Sequence, residues 1–338
     1  MQNSLHPATG RGVRSAIEGY TSCRMKMILI LLLTAAAAFA QTNQLSATSV
    51  NAIDSIPATA TTDELLKAFQ STVSLYRKFE VAEKMVARGD QSVIPALAPM
   101  LQSTNPADRC NAGFVLASFG DDQGFDLLLR EMGDRSPLMI FTAPDGTGGQ
   151  NVRHELRYHV SILLAFLKDR RALPVLIQSL EDDVGYGAAY ALAMIGDPAA
   201  IPALRDRLSS SNEFDRLSFA YALGRLGDPK GTETMIEFLS IPDWGDQVRA
   251  LEALGEFGDE RALGPVSAAL QDPHANVRIA AAQALGAIGG AAEITALEPL
   301  FSDSTTRPWY RPITVGDAAS QAVARIRSRL TPTGGTTQ

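Results

Sequence analysis

Apolar residues recur at steps of three and four along most of the chain, and the segment 258–289 shows this pattern most clearly. Such steps place a stripe of side chains on one side of a helix. Asp259 is a candidate cap for the first helix, and the 271–275 turn contains a proline that ends it. The segment therefore predicts a helical hairpin with two apolar stripes: Ala262, Leu263, Val266, Ala269 and Leu270, then Val277, Ala280, Ala281, Ala284, Leu285 and Ile288.

The same hairpin recurs along the chain. Most copies begin with a Gly-Asp or Lys-Asp pair and the last begins with Gly289-Gly290. Several then place a proline between apolar residues, as at Pro95, Pro174 and Pro202. Glycine tolerates the left-handed backbone that ends a helix, and aspartate caps the next helix. A repeat of about 30 residues predicts a stacked array. We therefore expect an all-α fold, an α-solenoid of about seven hairpins over 62–330, with helices at 62–89 as an N-terminal cap.

The repeat resembles the HEAT repeats, in particular the short HEAT-like repeats of phycobilisome-lyase family proteins. The resemblance rests on Val248-Arg249-Ala250-Leu251 through Gly258-Asp259, on 276–289 and on 215–228, and it extends over about 63–330. It implies that the arginine after the turn within each hairpin contacts an aspartate or backbone carbonyl of the adjacent repeat. The residues assigned to these inter-repeat contacts are Arg109, Arg216, Arg249 and Arg278, with Asp197, Asp228 and Asp259.

The N-terminal region is typical of an exported protein. Met25–Ala40 has a lysine, a short apolar run and small residues up to Ala40, as a secretory signal peptide does. The run is shorter than the roughly 20 residues of a membrane span. We expect translation to start at Met25 or Met27, cleavage after Ala40 and a periplasmic or secreted product. Residues 41–61 are expected to form a flexible leader, and 331–338 a disordered tail.

Charge and cysteine content exclude some partners. Residues 1–40 hold four of the 30 basic and one of the 37 acidic residues, which leaves a net charge of −10 on the rest. Such a surface argues against nucleic acid and against anionic lipid as partners, because both bind basic faces. Without residues 1–40 the chain contains one cysteine, Cys110, on an apolar helix stripe. We expect it to be a small buried residue.

Two hairpins carry long insertions between their helices, at 133–152 and 303–316. Long loops on a rigid scaffold commonly contain binding residues. One hypothesis is that a protein or peptide partner contacts these loops; the alternative is that the second loop folds back and caps the exposed last hairpin. The candidate binding residues are Trp309, Tyr310, Arg307 and Arg311 in the second loop, and Arg153, His154 and Arg157 after the first.

The sequence contains no convincing catalytic set. His154 and His159 lie five residues apart, whereas zinc binding from one helix needs the spacing of H-E-x-x-H. We therefore expect no metal and no cofactor, and two ordinary histidines near a helix start. The favoured function is a non-catalytic protein-binding or scaffolding module of the cell envelope. The alternatives are a lyase-like or chaperone-like accessory protein, or a small-ligand or inhibitory subunit of an envelope enzyme. The oligomeric state stays open.

Overall fold

The computed structural model describes residues 56–57, 59–140, 150–306 and 313–331. The expected signal peptide, most of the leader, the tail after Thr331 and four candidate binding residues lie outside the described residues: Arg307, Trp309, Tyr310 and Arg311. The chain divides into two compact units, with the boundary between Val175 and Leu176. Both consist of stacked helical hairpins, so the fold is all-α and of the α-solenoid class.

The first unit begins with a helix pair and continues with two hairpins. Short 3₁₀ helices at Gln91–Val93, Ala98–Gln102 and Arg170–Ala172 flank the short α-helices. A two-residue ladder, Met139–Ile140 (β1) against Gln150–Asn151 (β2), is antiparallel. The α-helices are α1 (Thr62–Ser71), α2 (Leu75–Arg88), α3 (Ile94–Leu97), α4 (Pro106–Ser118), α5 (Asp122–Gly133), α6 (Arg153–Leu167) and α7 (Leu173–Ser179), which crosses the boundary.

The second unit continues in the same way, with 3₁₀ helices at Pro198–Ala200, Glu260–Ala262, Ala269–Gln271 and Glu298–Ser302. Its second helices are the longer ones, and they pack on one another along the stack. The α-helices are α8 (Gly185–Ile195), α9 (Ile201–Arg207), α10 (Glu213–Arg225), α11 (Pro229–Phe238), α12 (Trp244–Phe257), α13 (Leu263–Ala268), α14 (Ala275–Ile288), α15 (Ala291–Leu297) and α16 (Val315–Leu330).

The Gly-Asp pairs join consecutive hairpins as their chemistry predicts. Gly196 and Gly258 have φ values of 76° and 74°, in the left-handed region that glycine tolerates. Where the pair is Lys-Asp, Lys168 adopts the same region with φ 52°. The following aspartate then caps the next helix; the Asp259 carboxylate accepts from the backbone N–H of Arg261 at 3.0 Å.

The first helices are more broken than the sequence predicts. In the hairpin that starts at Asp259, the expected single helix is a 3₁₀ turn, the six-residue α13 and a second 3₁₀ turn. Pro265 in α13 lacks the N–H that a continuous helix needs. The predicted apolar stripes nevertheless pack inward, with Val266 and Leu285 fully buried.

Close contacts between consecutive second helices depend on glycine. A Cβ on Gly255 of α12 would lie 2.9 Å from the Cα of Ala284 in α14. A Cβ on Gly286, 31 residues later, would lie 2.9 Å from the Cα of Ala322 in α16. Real Cβ atoms do not approach a backbone so closely. The glycine-alanine contacts therefore set the separation of these helices.

The end of the segment expected to be a flexible leader is held in place. Ala60 is buried. The Lys84 ammonium donates to the carbonyl of Ile56, and the Arg88 guanidinium donates to the carbonyl of Ala60. Two basic side chains of α2 therefore contact the described end of the predicted leader.

Candidate functional site

The turn within each hairpin is called its inner turn, and the inner turns of one unit lie along one edge, the turn edge. The long inner turn of the first unit is the 133–152 insertion. Its base is ordered by the β1–β2 ladder and by the N-terminal residues of α6.

Arg153 joins this insertion to the helices around it. Its Nη1 lies 3.0 Å from Glu131 Oε2, its Nη2 lies 2.8 Å from Asp134 Oδ2, and its Nε donates to the carbonyl of Ser136 at 2.8 Å. Glu131 also accepts from Arg109 Nε at 2.6 Å. The Glu131 carboxylate thus holds two guanidinium groups in a largely buried cluster.

Arg153 and Arg157, which the sequence analysis proposed as partner-binding residues, are largely buried in the chain itself. Their exposed fractions are only 8% and 3%. Arg157 Nε donates to the carbonyl of Met132 at 2.9 Å, so it satisfies the end of α5. Both arginines position the insertion. His154, the third candidate of this group, is partly exposed at the turn edge.

His159 is a core residue, and the expectation of an ordinary histidine at a helix start is wrong for it. Its ring is fully buried and meets Tyr76 and Phe79 edge-on, with centroids 5.4 and 5.8 Å away. The Asn111 amide nitrogen donates to the carbonyls of Leu75 and Ala107, so its oxygen accepts from His159 Nε2 at 3.1 Å. Burial lowers the pKa of His159 to about 3, so the ring is neutral at physiological pH.

Two of the four inter-repeat arginines have the geometry expected from the resemblance. Arg109 binds Glu131 of the next hairpin and donates to the carbonyl of Thr104 at 3.1 Å. Arg278 repeats this arrangement: its Nη2 lies 2.9 Å from Asp303, and its Nη1 donates to the carbonyl of Asp272 at 2.9 Å. Both side chains satisfy an inner turn and contact the next repeat.

The other two arginines differ. Arg216 lies over the ring of Phe238 in the next hairpin, 4.7 Å from its centroid, so its contact is cation–π. Arg249 forms an ion pair with Asp246 of its own helix, which corrects the expected pairing with an adjacent repeat. Its guanidinium also lies 6.0 Å from the ring of Phe214 in the preceding hairpin.

The three aspartates cap helices, and two also contact the preceding hairpin. Asp197 is buried and accepts from the N–H of Ala199 at 2.9 Å. Asp228 lies 2.7 Å from Arg205 Nη2. Hydrogen bonds from Arg261 and from Thr232 lower the pKa of Asp259 to about 2.

A row of rings along the turn edge of the second unit is the feature that the sequence analysis missed. Tyr186, Phe214, Trp244 and His274 stand at the starts of four consecutive second helices. Tyr186 meets Phe214 edge-on at 5.2 Å, and Trp244 stacks on His274 at 6.5 Å with an interplanar angle of 24°. The spacings in sequence, 28, 30 and 30 residues, follow the repeat period. A search for aromatic residues at that period would have found the row.

Large apolar side chains are exposed mainly at the turn edges. In the first unit these are Val73, 81% exposed, and Tyr76. In the second unit they are Trp244, 46% exposed, and Phe301. Among the described residues the other such side chain is Leu330, near the end of α16. An exposed apolar row with a polar surround is typical of an interaction surface.

Other features do not favour a small-molecule site. Arg205, Leu208, Pro229, Lys230 and Glu233 line an open groove of about 390 Å³. Its Arg205 and Lys230 side chains are bonded to Asp228 and Glu233.

The described residues contain no group of three side chains suited to a metal ion. None of the helices in the described ranges has both the length and the hydropathy of a membrane span. Cys110 is buried, which raises the pKa of its thiol.

The family comparison agrees with this architecture. The profile of the HEAT repeats matches in three overlapping stretches, 153–224, 183–246 and 232–309. Residues 153–309 therefore contain HEAT repeats, as the motifs in this part of the chain predicted. A search of the curated proteins returns no relative of this sequence.

Solved structures with similar folds include Escherichia coli YibA, with 17% identity, 80% of this chain and 93% of that chain covered, and a TM-score of 0.46. The CpcE–CpcF complex of phycocyanin lyase from Nostoc has 23% identity, coverage of 71% and 96%, and a TM-score of 0.43. Human deoxyhypusine hydroxylase has 18% identity, coverage of 79% and 96%, and a TM-score of 0.32. These values say nothing about the ligand of this chain.

Proposed function

We propose that this HEAT-repeat chain is a non-catalytic module that is exported to the cell envelope and binds a protein or peptide through its turn edge. The observation that carries the binding proposal is the exposed Trp244–His274 stack within a periodic row of rings. Tryptophan, tyrosine and arginine are the side chains most often found at the energetic centre of an interface. A stack of hairpins offers such a row as a continuous surface.

Position 244 should touch the partner in the cell. We expect benzoylphenylalanine in place of Trp244 to give a discrete protein adduct after irradiation of the native host. The same residue at position 230, in the groove between first helices, should give none. Because Lys230 is also about half exposed, the comparison controls for accessibility. Immunoblotting and mass spectrometry of the adduct measure the outcome. Equal labelling at positions 230 and 244, or labelling at neither, would contradict a role for this edge.

Export is tested by processing of the precursor. We expect the mature chain to begin at Gln41, because small residues at 38 and 40 satisfy signal peptidase. Replacing Ala38 and Ala40 with Asp should leave the precursor uncleaved, whereas Phe39→Gln should be processed normally, since the middle position tolerates large residues. Intact-mass measurement of fractionated cells distinguishes the two forms. A full-length chain in the cytoplasmic fraction would contradict export.

A further inference from the structure

We propose that the turn edge of the second unit binds an extended, arginine- or lysine-rich peptide segment, with about one cationic side chain for each hairpin. This inference rests on the proposed function and names the chemistry of its partner. It depends on the charges beside the ring row, on the partners of the nearby arginines and on the spacing of the hairpins.

An acidic residue lies one to three positions before each ring of the row in the sequence. The pairs are Asp183 with Tyr186, Glu213 with Phe214, Asp243 with Trp244, and Asp272 with His274. Asp183, Glu213 and Asp243 are exposed, and Asp272 is partly exposed. Each of these four hairpins therefore contributes one acidic side chain and one ring to the turn edge.

The arginines near this edge have other partners. Arg249 pairs with Asp246, Arg278 pairs with Asp303, and Arg216 lies over Phe238. Asp243 accepts from the backbone N–H of Asp246 at 2.9 Å, as a helix cap does, and keeps an exposed side chain. Arg207 lies 3.8 Å from Glu181, and Asp272 is bonded to His274, so the acidic character of this edge comes mainly from the exposed Glu213 and Asp243. An acidic surface favours cationic partners through both steering and contact.

The rings add selectivity for the same partner. A guanidinium or ammonium group placed over a tryptophan or tyrosine face is stabilised by the ring quadrupole, and tryptophan is the best acceptor. Trp244 offers an exposed indole next to Asp243, so one cationic side chain would meet both a ring and a carboxylate. A neutral apolar helix would bury the carboxylates unpaired, and a second copy of this acidic edge would be repelled.

The spacing favours an extended peptide. Packed helices lie roughly 8–10 Å apart, so neighbouring inner turns present their carboxylates at about that distance. An extended chain in the polyproline II conformation advances about 3.1 Å per residue with three residues per turn, so every third side chain lies on the same face, about 9 Å from the next. A peptide with a cationic side chain at every third position therefore matches consecutive hairpins.

The test uses three fluorescent 15-residue peptides and the purified mature chain at physiological ionic strength. One has arginine at every third position among glycine and serine, the second has the same composition with its arginines contiguous, and the third has glutamate in place of arginine. Fluorescence anisotropy measures the affinity. We expect the spaced arginine peptide to bind about fivefold or more tightly than the contiguous one, and the glutamate peptide not to bind.

Variants then locate the binding. Trp244→Ala should lower the affinity for the spaced arginine peptide about fivefold, because the loss of a cation–π contact worth about 1 kcal/mol predicts a change of that size. Asp243→Asn combined with Glu213→Gln should weaken it further, and Asn preserves the helix cap. Glu233→Gln is the matched control, because it removes one exposed charge in the groove between α9 and α11 and should leave the affinity unchanged.

The outcomes separate the two proposals. Equal binding of the glutamate peptide, or arginine-peptide binding that none of the turn-edge variants changes, overturns the cationic-peptide inference. If no peptide binds but benzoylphenylalanine at position 244 still cross-links a protein, the inference fails and the proposed function stands. If neither peptide binding nor cross-linking is seen, both proposals fail.

Discussion

Replacing Glu131 with alanine is expected to lower the free energy of unfolding by about 3–5 kcal/mol, because it removes the shared partner of two largely buried cations. Arg109 and Arg153 both contact this carboxylate, and all three side chains are at least 85% shielded from solvent. Arg153 would keep the Asp134 carboxylate, whereas the remaining contacts of Arg109 are with the backbone carbonyls of Ser103 and Thr104, which neutralise no charge. The measurement is urea unfolding of the full chain, followed by circular dichroism.

An exposed carboxylate provides the control for Glu131. Glu233 is paired with Lys230 and lies near Arg261, but its side chain is 48% exposed. Glu233→Ala should therefore change stability by no more than about 1 kcal/mol. Glu131→Gln should fall between the two, since the amide oxygen still accepts one hydrogen bond. If Glu131→Ala were no more damaging than Glu233→Ala, the buried cluster would not stabilise the insertion.

Replacing Gly286 with valine is expected to cost about 3 kcal/mol. Its Cβ would lie 2.9 Å from the Cα of Ala322, and a backbone atom of a packed helix cannot rotate away. The helices would have to separate, which is the usual origin of the cost of overpacking. Valine has a better helix propensity than glycine, which by itself would raise the free energy of unfolding. The packing penalty must therefore exceed this gain before the variant becomes less stable. Thermal unfolding of the full chain measures it.

Gly264 is the matched position for this comparison. It is also helical, but a Cβ there would meet no atom within 4 Å. Gly264→Ala should therefore change stability by less than about 1 kcal/mol, since the gain in helix propensity is offset by the restriction that Pro265 places on a preceding helical residue with a Cβ. Equal effects of the two substitutions would show that the α14–α16 separation does not depend on Gly286.

The hairpins could be predicted from sequence because their signals are local. Periodic apolar steps, left-handed glycines and capping aspartates act within a few residues, and the Gly258-Asp259 junction has the structure that these rules predict. The 3₁₀ turns on either side of α13 could not be predicted in this way, because the apolar stripe continues through them.

The sequence did not predict on which side of a helix certain side chains lie, or which residues far apart in the sequence contact one another. Arg153 and Arg157 follow a long loop, and their sequence position does not tell whether they point outward or toward α5. Burial keeps His159 neutral, and its hydrogen-bond partner, Asn111, lies 48 residues earlier in the sequence. The ring row is not evident from Phe214 or Trp244 alone, because it becomes visible only when equivalent positions of successive hairpins are aligned.

The identical glycine contacts at positions 255 and 286 make consecutive hairpins interchangeable. Duplication or loss of one block of 31 residues would rejoin matching helix surfaces and would add or remove one carboxylate–ring pair at the edge. The number of carboxylate–ring pairs on this surface would then follow the number of repeats that the gene encodes. The packing within each block would not need to change. Proteins with more blocks would then bind a multivalent ligand with higher avidity, although each single contact would stay the same.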